Sequence, residues 1–380
     1  MRKLRGIALV VFGMLAGFTA AKGDVLLSED EIAQALLHGP WPIEYGKDPS
    51  NRVSGNPKAI ALGEALFSDP ILSRDENMSC ASCHDPNNGF TDALPRAVGQ
   101  KLLDRNTPSL MNLSSHRWFG WAGGTDNIWA QSIDPILNID EMGHEAESLK
   151  TAVAGSRYSK TYGALFGGVS DHAAEDVLVN ISKALAAYQE TLVTGQTSFD
   201  RFRDALEAGD LTTAGAYSDS AQRGLQLFLG RGNCAFCHSG PAFTNGEFHD
   251  AGVPYFITET RVDEGRFGGL KAIKQNPYTL AGDYSDDPEK TGAWAVNQVR
   301  FQHSDFGTFR VPGLRGATKT APYMHNGSLK DLAAVVDHYD AINMERLHVD
   351  GEAILQPLGL NAQEKLDLIA FLESLSDDGS

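Results

Sequence analysis

Cys80-Ala-Ser-Cys83-His84 and Cys234-Ala-Phe-Cys237-His238 are two Cys-x-x-Cys-His pentads in a chain of 380 residues, and they contain all four of its cysteines. Two thiols at this spacing can form thioether bonds to the vinyl groups of one haem, and the adjacent imidazole can then bind the iron. A disulfide or a Cys/His zinc site is the alternative, but two separate copies that each end in His favour haem attachment. The sequence therefore predicts two covalently bound haem c groups, one held by Cys80, Cys83 and His84 and one by Cys234, Cys237 and His238.

The N-terminus has the pattern of a secretory signal peptide. A basic start, Met1-Arg-Lys-Leu-Arg5, precedes an apolar run over 7–21 that ends in small residues. The run is roughly 15 residues long, which is short for a membrane span, and no later segment predicts one. We therefore expect residues 1–21 to be removed, the mature protein to begin near Lys22, and the protein to be located in the periplasm, since bacteria attach c-type haem after export.

Length and charge narrow the class of protein. The chain left after a signal peptide is long enough for two domains, and the two haem motifs divide it naturally. We place the boundary in the Thr/Ala/Gly/Ser-rich connector over 211–219, so that residues 22–215 form an N-terminal domain with the first haem and residues 216–380 a C-terminal domain with the second haem. The formal net charge of −17 argues against a nucleic-acid partner. Solubility explains this charge, and attraction of a basic protein partner is the other possibility.

Apolar periodicity predicts a mainly α fold of two cytochrome c-like haem domains packed together, with few or no strands. The Gly/Asp/Pro-rich stretch 243–287 predicts loops packed over haem. Similar helices precede the two haem motifs, which is a weak internal repeat. The predicted helices cover Pro57–Phe67, 177–192, 218–229, 329–339 and 361–375.

Four further segments are much more selective than the two pentads. In chain order they are Arg105-Asn-Thr-Pro-Ser-Leu110, residues 121–143, Phe199-Asp-Arg201, and residues 311–327 with Val-Pro-Gly-Leu-Arg and Ala-Pro-Tyr-Met-His-Asn-Gly. With these segments, residues 56–375 resemble the bacterial di-haem cytochrome c peroxidases and, within them, the MauG-type enzymes that oxidise partner proteins. The resemblance implies a haem-dependent oxidoreductase that reacts with hydrogen peroxide.

For the first haem, the resemblance implies a peroxide-binding face formed by Gln131, Pro135 and Glu141. Glu141 would move a proton between the peroxide oxygens as general acid/base, Gln131 would hold the oxygen species by a hydrogen bond, and Pro135 would fill the face without binding iron. No histidine lies between the first motif and residue 106. We therefore expect an accessible iron bound only by His84, and we expect His116 to be a structural or haem-edge residue.

The axial ligand of the second haem is the most discriminating feature. In the ordinary peroxidases, a Met 25 residues after the Leu of the Pro-x-Leu-Arg segment binds this iron, and the same count from Leu314 leads here to Tyr339. MauG-type enzymes have Tyr at that place. A phenolate favours high oxidation states, whereas a thioether does the opposite. The resemblance therefore implies a haem bound by His238 and Tyr339, with His338 and Met344 as nearby alternatives.

The resemblance also implies an electron path and a metal ion. Trp121 matches the tryptophan that lies between the two haems in this family, where its indole can carry electrons. Asn106, Thr320 and Pro322 match positions that hold one calcium ion between the domains through side-chain oxygens, carbonyl oxygens and water. We expect calcium to be needed for activity without taking part in the redox chemistry.

One position departs from the MauG-type pattern. The member of that branch that matures methylamine dehydrogenase has a surface tryptophan two residues before its second haem motif, where this chain has Gly232. The same partner and docking route are therefore in doubt. The remaining tryptophans are alternative exits for oxidising equivalents, namely Trp41, Trp118, Trp129 and Trp294.

The implied function is that of a periplasmic enzyme that uses hydrogen peroxide to form a high-valent di-haem state, shared through Trp121, and then oxidises Trp or Tyr of a separate periplasmic protein. The first alternative is a peroxidase that takes electrons from a small cytochrome or copper protein, and it predicts a soft ligand at the second haem. The second alternative is a non-catalytic di-haem electron carrier, and it predicts two six-coordinate irons. Nucleic acid is not an expected partner, and we expect no membrane span in the mature protein.

Overall fold

The computed structural model describes residues 24–254, 256–344, 347 and 354–376. The predicted signal peptide, residues 1–21, lies outside these described residues. Within them, no helix combines the length and the apolar composition that a membrane crossing requires.

Helices dominate the described part of the chain, which confirms the predicted mainly α fold. Its strands form two antiparallel pairs, β1 (Phe248–His249) with β4 (Phe309–Arg310) and β2 (Phe256–Thr258) with β3 (Arg261–Val262). The α-helices are, in chain order, α1 (Glu29–Leu36), α2 (Pro57–Phe67), α3 (Cys80–Cys83), α4 (Ile128–Leu137), α5 (Ala146–Gly155), α6 (Ser159–Phe166), α7 (Ala174–Gln189), α8 (Ser198–Glu207), α9 (Leu211–Ala214), α10 (Asp219–Leu229), α11 (Arg266–Gln275), α12 (Trp294–Gln298), α13 (Leu332–Asp340) and α14 (Ala362–Glu373).

Two apolar cores organise these helices, and one haem motif lies beside each core. In the first core, α7 is buried along most of its length because α2, α4 and α5 pack against it. In the second core, α10 packs along α14, and residues of α8 and α13 complete the cluster. Cys80 packs against the first core and Cys234 against the second. The cores therefore fix the positions of the two motifs.

The helix before each haem motif crosses its neighbour at a glycine. A Cβ on Gly63 in α2 would lie 2.1 Å from a carbonyl oxygen of α7, and a Cβ on Gly224 in α10 would lie 2.0 Å from a carbonyl oxygen of α14. Only glycine permits so close an approach of two backbones. Each glycine precedes a buried phenylalanine, Phe67 or Phe228, by four residues. This shared geometry gives the internal repeat a physical basis.

The N-terminal segment packs on the second core although it precedes the first haem motif in sequence. Leu27 and Ala35 are buried members of the second core. The backbone N–H of Leu26 donates to Gln222 Oε1 in α10 at 2.7 Å. The predicted domain boundary, between residues 215 and 216, falls between α9 and α10 and stays a prediction.

Polar contacts join the two halves of the chain near the candidate site. Arg105 forms a bidentate ion pair with Asp263, with N···O distances of 2.7 and 2.6 Å. The backbone N–H of Arg310 donates to Trp121 O at 2.9 Å. The loop that carries Trp121 is therefore attached directly to β4 of the C-terminal half.

Two sequence-based expectations differ from the structure. Residues 243–287 were expected to be loops, but they contain α11. The glycines of this helix favour a loop in the sequence. In the structure, Gly269 allows close packing, since a Cβ there would lie 1.9 Å from Ala122 O. Helix α13 begins at Leu332 after the N-cap Asp331, and not at residue 329, because Tyr323 and Leu329 form a backbone bridge just before it.

Candidate haem sites

The imidazole of His84 is oriented by a backbone carbonyl. Its Nδ1 lies 3.0 Å from Phe90 O. Phe90 has a φ of +58°, in the left-handed region. With Nδ1–H donating to this oxygen, Nε2 carries the lone pair that an iron ligand needs, as in most histidine metal sites. Burial lowers the pKa of His84, which favours the neutral ring that binds iron.

His238 repeats this arrangement at the second motif. Its Nδ1 lies 3.1 Å from Phe243 O, and Phe243 has a φ of +54°. Burial lowers the pKa of His238 to about 4. The orienting carbonyls were missed by the sequence reasoning, although a Phe-Thr pair six residues after His84 and five residues after His238 is visible in the sequence.

The residues present fit covalent haem attachment at both motifs. The four cysteines form no disulfide in the described residues. Burial raises the pKa of Cys80 and of Cys234 to about 12. Two half-buried thiols beside an imidazole with an available Nε2 match the donor set of a c-type haem, namely two thioether sulfurs and one proximal nitrogen.

Glu141 lies close to the first motif. Burial raises the pKa of the Cys83 thiol to about 11, and the nearby carboxylates of Asp92 and Glu141 contribute. Burial also raises the pKa of Glu141, although Asn138 Nδ2 donates to its Oε1 at 2.8 Å. Gly99 packs against the same backbone, since a Cβ there would lie 2.7 Å from Glu141 Cα. The carboxyl group is thus held beside the first haem motif with a raised proton affinity.

Gln131 and Pro135 both lie on α4, in the segment that leads to Glu141. Thr125 Oγ1 donates to Gln131 Oε1 at 2.9 Å. A Cβ on Gly120 would lie 3.3 Å from Gln131 Oε1, so the amide abuts the loop that carries Trp121. Because its oxygen is engaged, the NH₂ group of Gln131 is the end left to donate to a ligand.

One cavity of about 890 Å³ brings together most of the residues predicted for the second haem and the interdomain region. Its wall does not include the residues predicted for the peroxide face of the first haem. The predicted residues that line the cavity are Cys234, Cys237, His238, Tyr339, Trp121, Asn106, Thr320 and Pro322.

The candidate axial ligands of the second iron differ in position. Tyr339 lines the cavity with His238; burial raises the pKa of its phenol, and nearby Cys234 and Cys237 contribute. His338 Nε2 lies 2.7 Å from Ala251 O and does not line the cavity. Met344 is 40% exposed and does not line it. Met324 does line the cavity and was not considered from the sequence.

Trp121 and the predicted calcium ligands are connected by hydrogen bonds. The indole N–H of Trp121 donates to Asn106 O at 2.9 Å. Asn106 Nδ2 donates to Leu94 O at 2.7 Å, so Oδ1 is the amide atom that is available as a cation ligand. Thr320 and Pro322 line the same cavity. These oxygens suit a hard cation, and the calcium ion stays a prediction.

The tryptophans considered as exits for oxidising equivalents differ in burial. Trp41, Trp118 and Trp129 are buried, whereas Trp294 is 52% exposed, with the Arg117 guanidinium 4.6 Å from its ring centroid. Position 232 has no room for a side chain, because a Cβ on Gly232 would lie 2.6 Å from a carbonyl oxygen. Among the tryptophans, Trp294 is therefore the one placed at the surface.

The chain is similar to known proteins over most of its length. A family profile described as di-haem cytochrome c peroxidase matches residues 57–207. Methylamine utilization protein MauG of Methylorubrum extorquens is 36% identical over 97% of this chain and 93% of that protein. Cytochrome-c peroxidase IdrP2 of Denitromonas iodatirespirans is 31% identical over 86% of this chain and 83% of that protein.

Solved structures show the same fold. The crystal structure of a MauG-like protein associated with microbial copper homeostasis superposes with a TM-score of 0.67 at 24% identity, covering 90% of this chain and 95% of that one. The diheme peroxidase BthA from Burkholderia thailandensis superposes with a TM-score of 0.68 at 22% identity, covering 90% of this chain and 91% of that one.

Proposed function

Because the chain belongs to the di-haem cytochrome c peroxidase family, which includes the MauG proteins, we propose that it is a MauG-type enzyme of the periplasm that uses hydrogen peroxide to oxidise a separate protein. Membership of the family makes it a haem-dependent oxidoreductase with two haem c groups. The observation that carries the finer proposal is that Tyr339 lines one cavity with His238, whereas His338 and Met344 do not line it.

At the first site, the protein's task is to hold peroxide and to move one proton. The iron held by His84 supplies the redox chemistry when haem is bound. Glu141 accepts the proton from the near oxygen and returns it to the leaving oxygen, and its raised pKa suits both steps. Asn138 holds one carboxyl oxygen of Glu141, so the other is left for this transfer. The NH₂ group of Gln131 would donate a hydrogen bond to peroxide and so orient it.

At the second site, the protein's task is to supply an anionic ligand. Burial raises the pKa of Tyr339, so its phenol stays protonated unless a cation binds its oxygen. A metal ion at this position favours the phenolate. A phenolate of Tyr339 would favour the higher oxidation state of a haem iron held there. This ligand suits a haem that shares oxidising equivalents better than one that receives electrons from a cytochrome.

Trp121 is proposed to connect the two haems. It lines the second-haem cavity, and its loop abuts Gln131, which we assign to the first haem. A calcium ion held by Asn106, Thr320 and Pro322 would fix this region, because Asn106 O also accepts the Trp121 indole hydrogen. Trp294 is the proposed exit to the protein partner, since it is exposed.

The second candidate function is a peroxidase that takes electrons from a small cytochrome or copper protein. It is favoured by the presence of Met324 in the cavity wall, because a thioether is the soft ligand that this function calls for. Several relatives also carry the name cytochrome-c peroxidase. The two candidates differ in which side chain binds the second iron.

The test is to determine which side chains bind the second iron in the diferric protein. Electron paramagnetic resonance and optical spectroscopy of the variants measure this. We expect Tyr339→Phe and Tyr339→Met to change the signal of the second haem and to leave that of the first haem unchanged. We expect Met324→Leu, the matched control, to leave both signals unchanged. If the second-haem signal changed in Met324→Leu and stayed unchanged in Tyr339→Phe, the proposal would be wrong and the second candidate function, the peroxidase, would replace it.

A further inference from the structure

Arg310 is a buried cation in the wall of the second-haem cavity, and none of the described residues is its counter-ion. Arg310 is 6% exposed, and it lines the cavity together with His238 and Tyr339. Its Nε donates to Gly120 O at 3.3 Å, and its Nη1 lies 3.1 Å from His116 Nδ1. Among the residues that the structure describes, no carboxylate forms an ion pair with it.

The nearby buried arginines differ in their partners. Arg266 donates to the backbone oxygens of Ala122 and Gly123 and does not line the cavity. Arg315, five residues further on, forms a bidentate ion pair with Asp200, with both N···O distances at 2.8 Å. Arg105 pairs in the same way with Asp263. Within the described part of the chain, Arg310 is the buried arginine that lines the cavity and has only neutral partners.

A charge in this position calls for an anion. Burial lowers the pKa of Arg310 to about 10, so its guanidinium is still charged at neutral pH. Burial lowers the pKa of His116 well below its usual value, and Arg310 lowers it further, so this histidine is a neutral acceptor. Burying an unpaired charge costs several kcal/mol unless an opposite charge is supplied. The described side chains around Arg310 do not supply it.

We propose that Arg310 binds a propionate carboxylate of the haem in this cavity and that His116 is the neutral acceptor that orients its guanidinium. Haem is the group that brings carboxylates into the cavity, and a guanidinium is well suited to bind them. The proposal requires the second haem to occupy the cavity. It depends neither on Tyr339 as its axial ligand nor on a protein substrate.

The same residue also holds the loop between the two haems. The backbone N–H of Arg310 donates to Trp121 O, and its Nε donates to Gly120 O. A propionate bound to Arg310 would therefore connect the second haem to the Trp121 loop through one side chain. Arg310 is in this sense a positioning residue as well as a binding residue.

The experiment compares Arg310→Gln and Arg310→Lys with the parent as purified diferric and reduced holoproteins. The readouts are the propionate bending bands in the resonance Raman spectrum and the midpoint potential of the second haem. Arg266→Gln is the matched control, since Arg266 is also buried, also donates to backbone carbonyls, and does not line the cavity.

We expect Arg310→Gln to shift the propionate bands of one haem and to lower the second-haem potential, because loss of a nearby positive charge favours the ferric state. The expected change is about tenfold in the ratio of ferric to ferrous second haem at a given potential, which is about 59 mV for one electron. Arg310→Lys should keep the potential near that of the parent and shift the bands, because the charge remains and the fork geometry is lost. Arg266→Gln should change neither readout.

Unchanged propionate bands in both Arg310 variants would overturn the proposal, as would a potential that follows added chloride in the parent, since the site would then hold an adventitious anion only. If Arg310→Gln does not accumulate as a di-haem protein, Arg310→Lys alone decides, and unshifted bands in it refute the proposal. Failure of the Tyr339 assignment is recognised separately, because it concerns the axial-ligand signal and not the propionate bands.

Discussion

Replacing Asp200 with Asn should destabilise the folded protein by about 3–5 kcal/mol, because it leaves a buried guanidinium without its counter-ion. The side chains of Asp200 and Arg315 are 1% and 0% exposed, and two N···O contacts of 2.8 Å join them. Asn has nearly the same volume as Asp, so the loss is one of charge and not of packing. The Arg315 guanidinium stays in place, because its carbon lies 4.2 Å from the Trp41 ring centroid.

The loss of stability in Asp200→Asn should first affect the surroundings of the second haem. The Arg315 guanidinium carbon lies 5.4 Å from the Phe243 ring centroid, and Phe243 O orients the ring of His238. We expect Asp200→Asn to lower the midpoint of a urea titration strongly when the absorbance of the second haem is monitored. The dependence of the unfolding free energy on urea concentration should stay unchanged. The double variant of Asp200→Leu with Arg315→Met should cost clearly less than the sum of the two single variants, since no charge is left unpaired.

An exposed ion pair provides the control. Arg74 and Asp75 also form two N···O contacts, but their side chains are 45% and 47% exposed. Arg74→Gln should therefore cost much less stability than Asp200→Asn, because water screens an exposed pair. The reasoning would be refuted if Asp200→Asn cost no more than Arg74→Gln, or if the double variant cost the full sum of the single ones.

Two further predictions concern carboxyl groups whose pKa is raised by burial. Glu141→Gln should slow the reaction with peroxide by about 10²–10⁴-fold in stopped-flow measurements, because a proton-transfer group is lost. In the parent this rate should fall as pH falls through the raised pKa of Glu141, with a midpoint above 4.5, and the variant should lack this dependence. Burial raises the pKa of Glu190 from 4.5 to about 7, so the folded state binds this proton more tightly than the unfolded state. The stability of the parent should therefore fall as pH rises from 4.5 through 7, and Glu190→Gln should flatten this fall in urea midpoints measured across the range.

Each of these predictions has a contradicting result. If Glu141→Gln reacted with peroxide as fast as the parent, Glu141 would not be the proton-transfer group. Identical pH dependence of the urea midpoint in Glu190→Gln and the parent would show that this carboxyl is not held protonated by the fold. The Glu190 effect is expected because its buried Oε1 has no hydrogen-bond partner among the described residues, while its Oε2 accepts from Ser54 Oγ.

Local patterns predicted the parts of the fold that depend on local sequence. The haem pentads, α2 and α10 are each encoded within about a dozen neighbouring residues, and their bounds agree closely with the structure. Helix α11 was missed because two of its ten residues are glycines, which indicate loop until the close packing of Gly269 is seen. The N-terminal segment was not expected on the second core, since periodicity carries no information on which core an amphipathic helix covers.

The candidate site shows the same division. The spacing of the haem motif led to His238, and the resemblance to the di-haem peroxidases led to Tyr339 and Trp121; the structure brings all three to one cavity. The Phe243 carbonyl that orients His238 is a local contact, and the Phe-Thr pair that carries it was visible in the sequence but was not used. The Asp200–Arg315 ion pair is a tertiary contact, and neither partner indicates the other in the sequence. Arg310 was not singled out, because a missing counter-ion becomes visible only when all neighbours of a buried charge are known.

The most direct test of the central claim is Mössbauer spectroscopy of iron-enriched, diferric protein frozen after reaction with one equivalent of hydrogen peroxide. A MauG-type enzyme shares oxidising equivalents between its haems, so we predict that both iron sites leave the ferric state in the parent and that only one does so in Tyr339→Met. A second haem that stays ferric in the parent, or a reaction that requires prior one-electron reduction, would contradict the proposed function and favour the peroxidase.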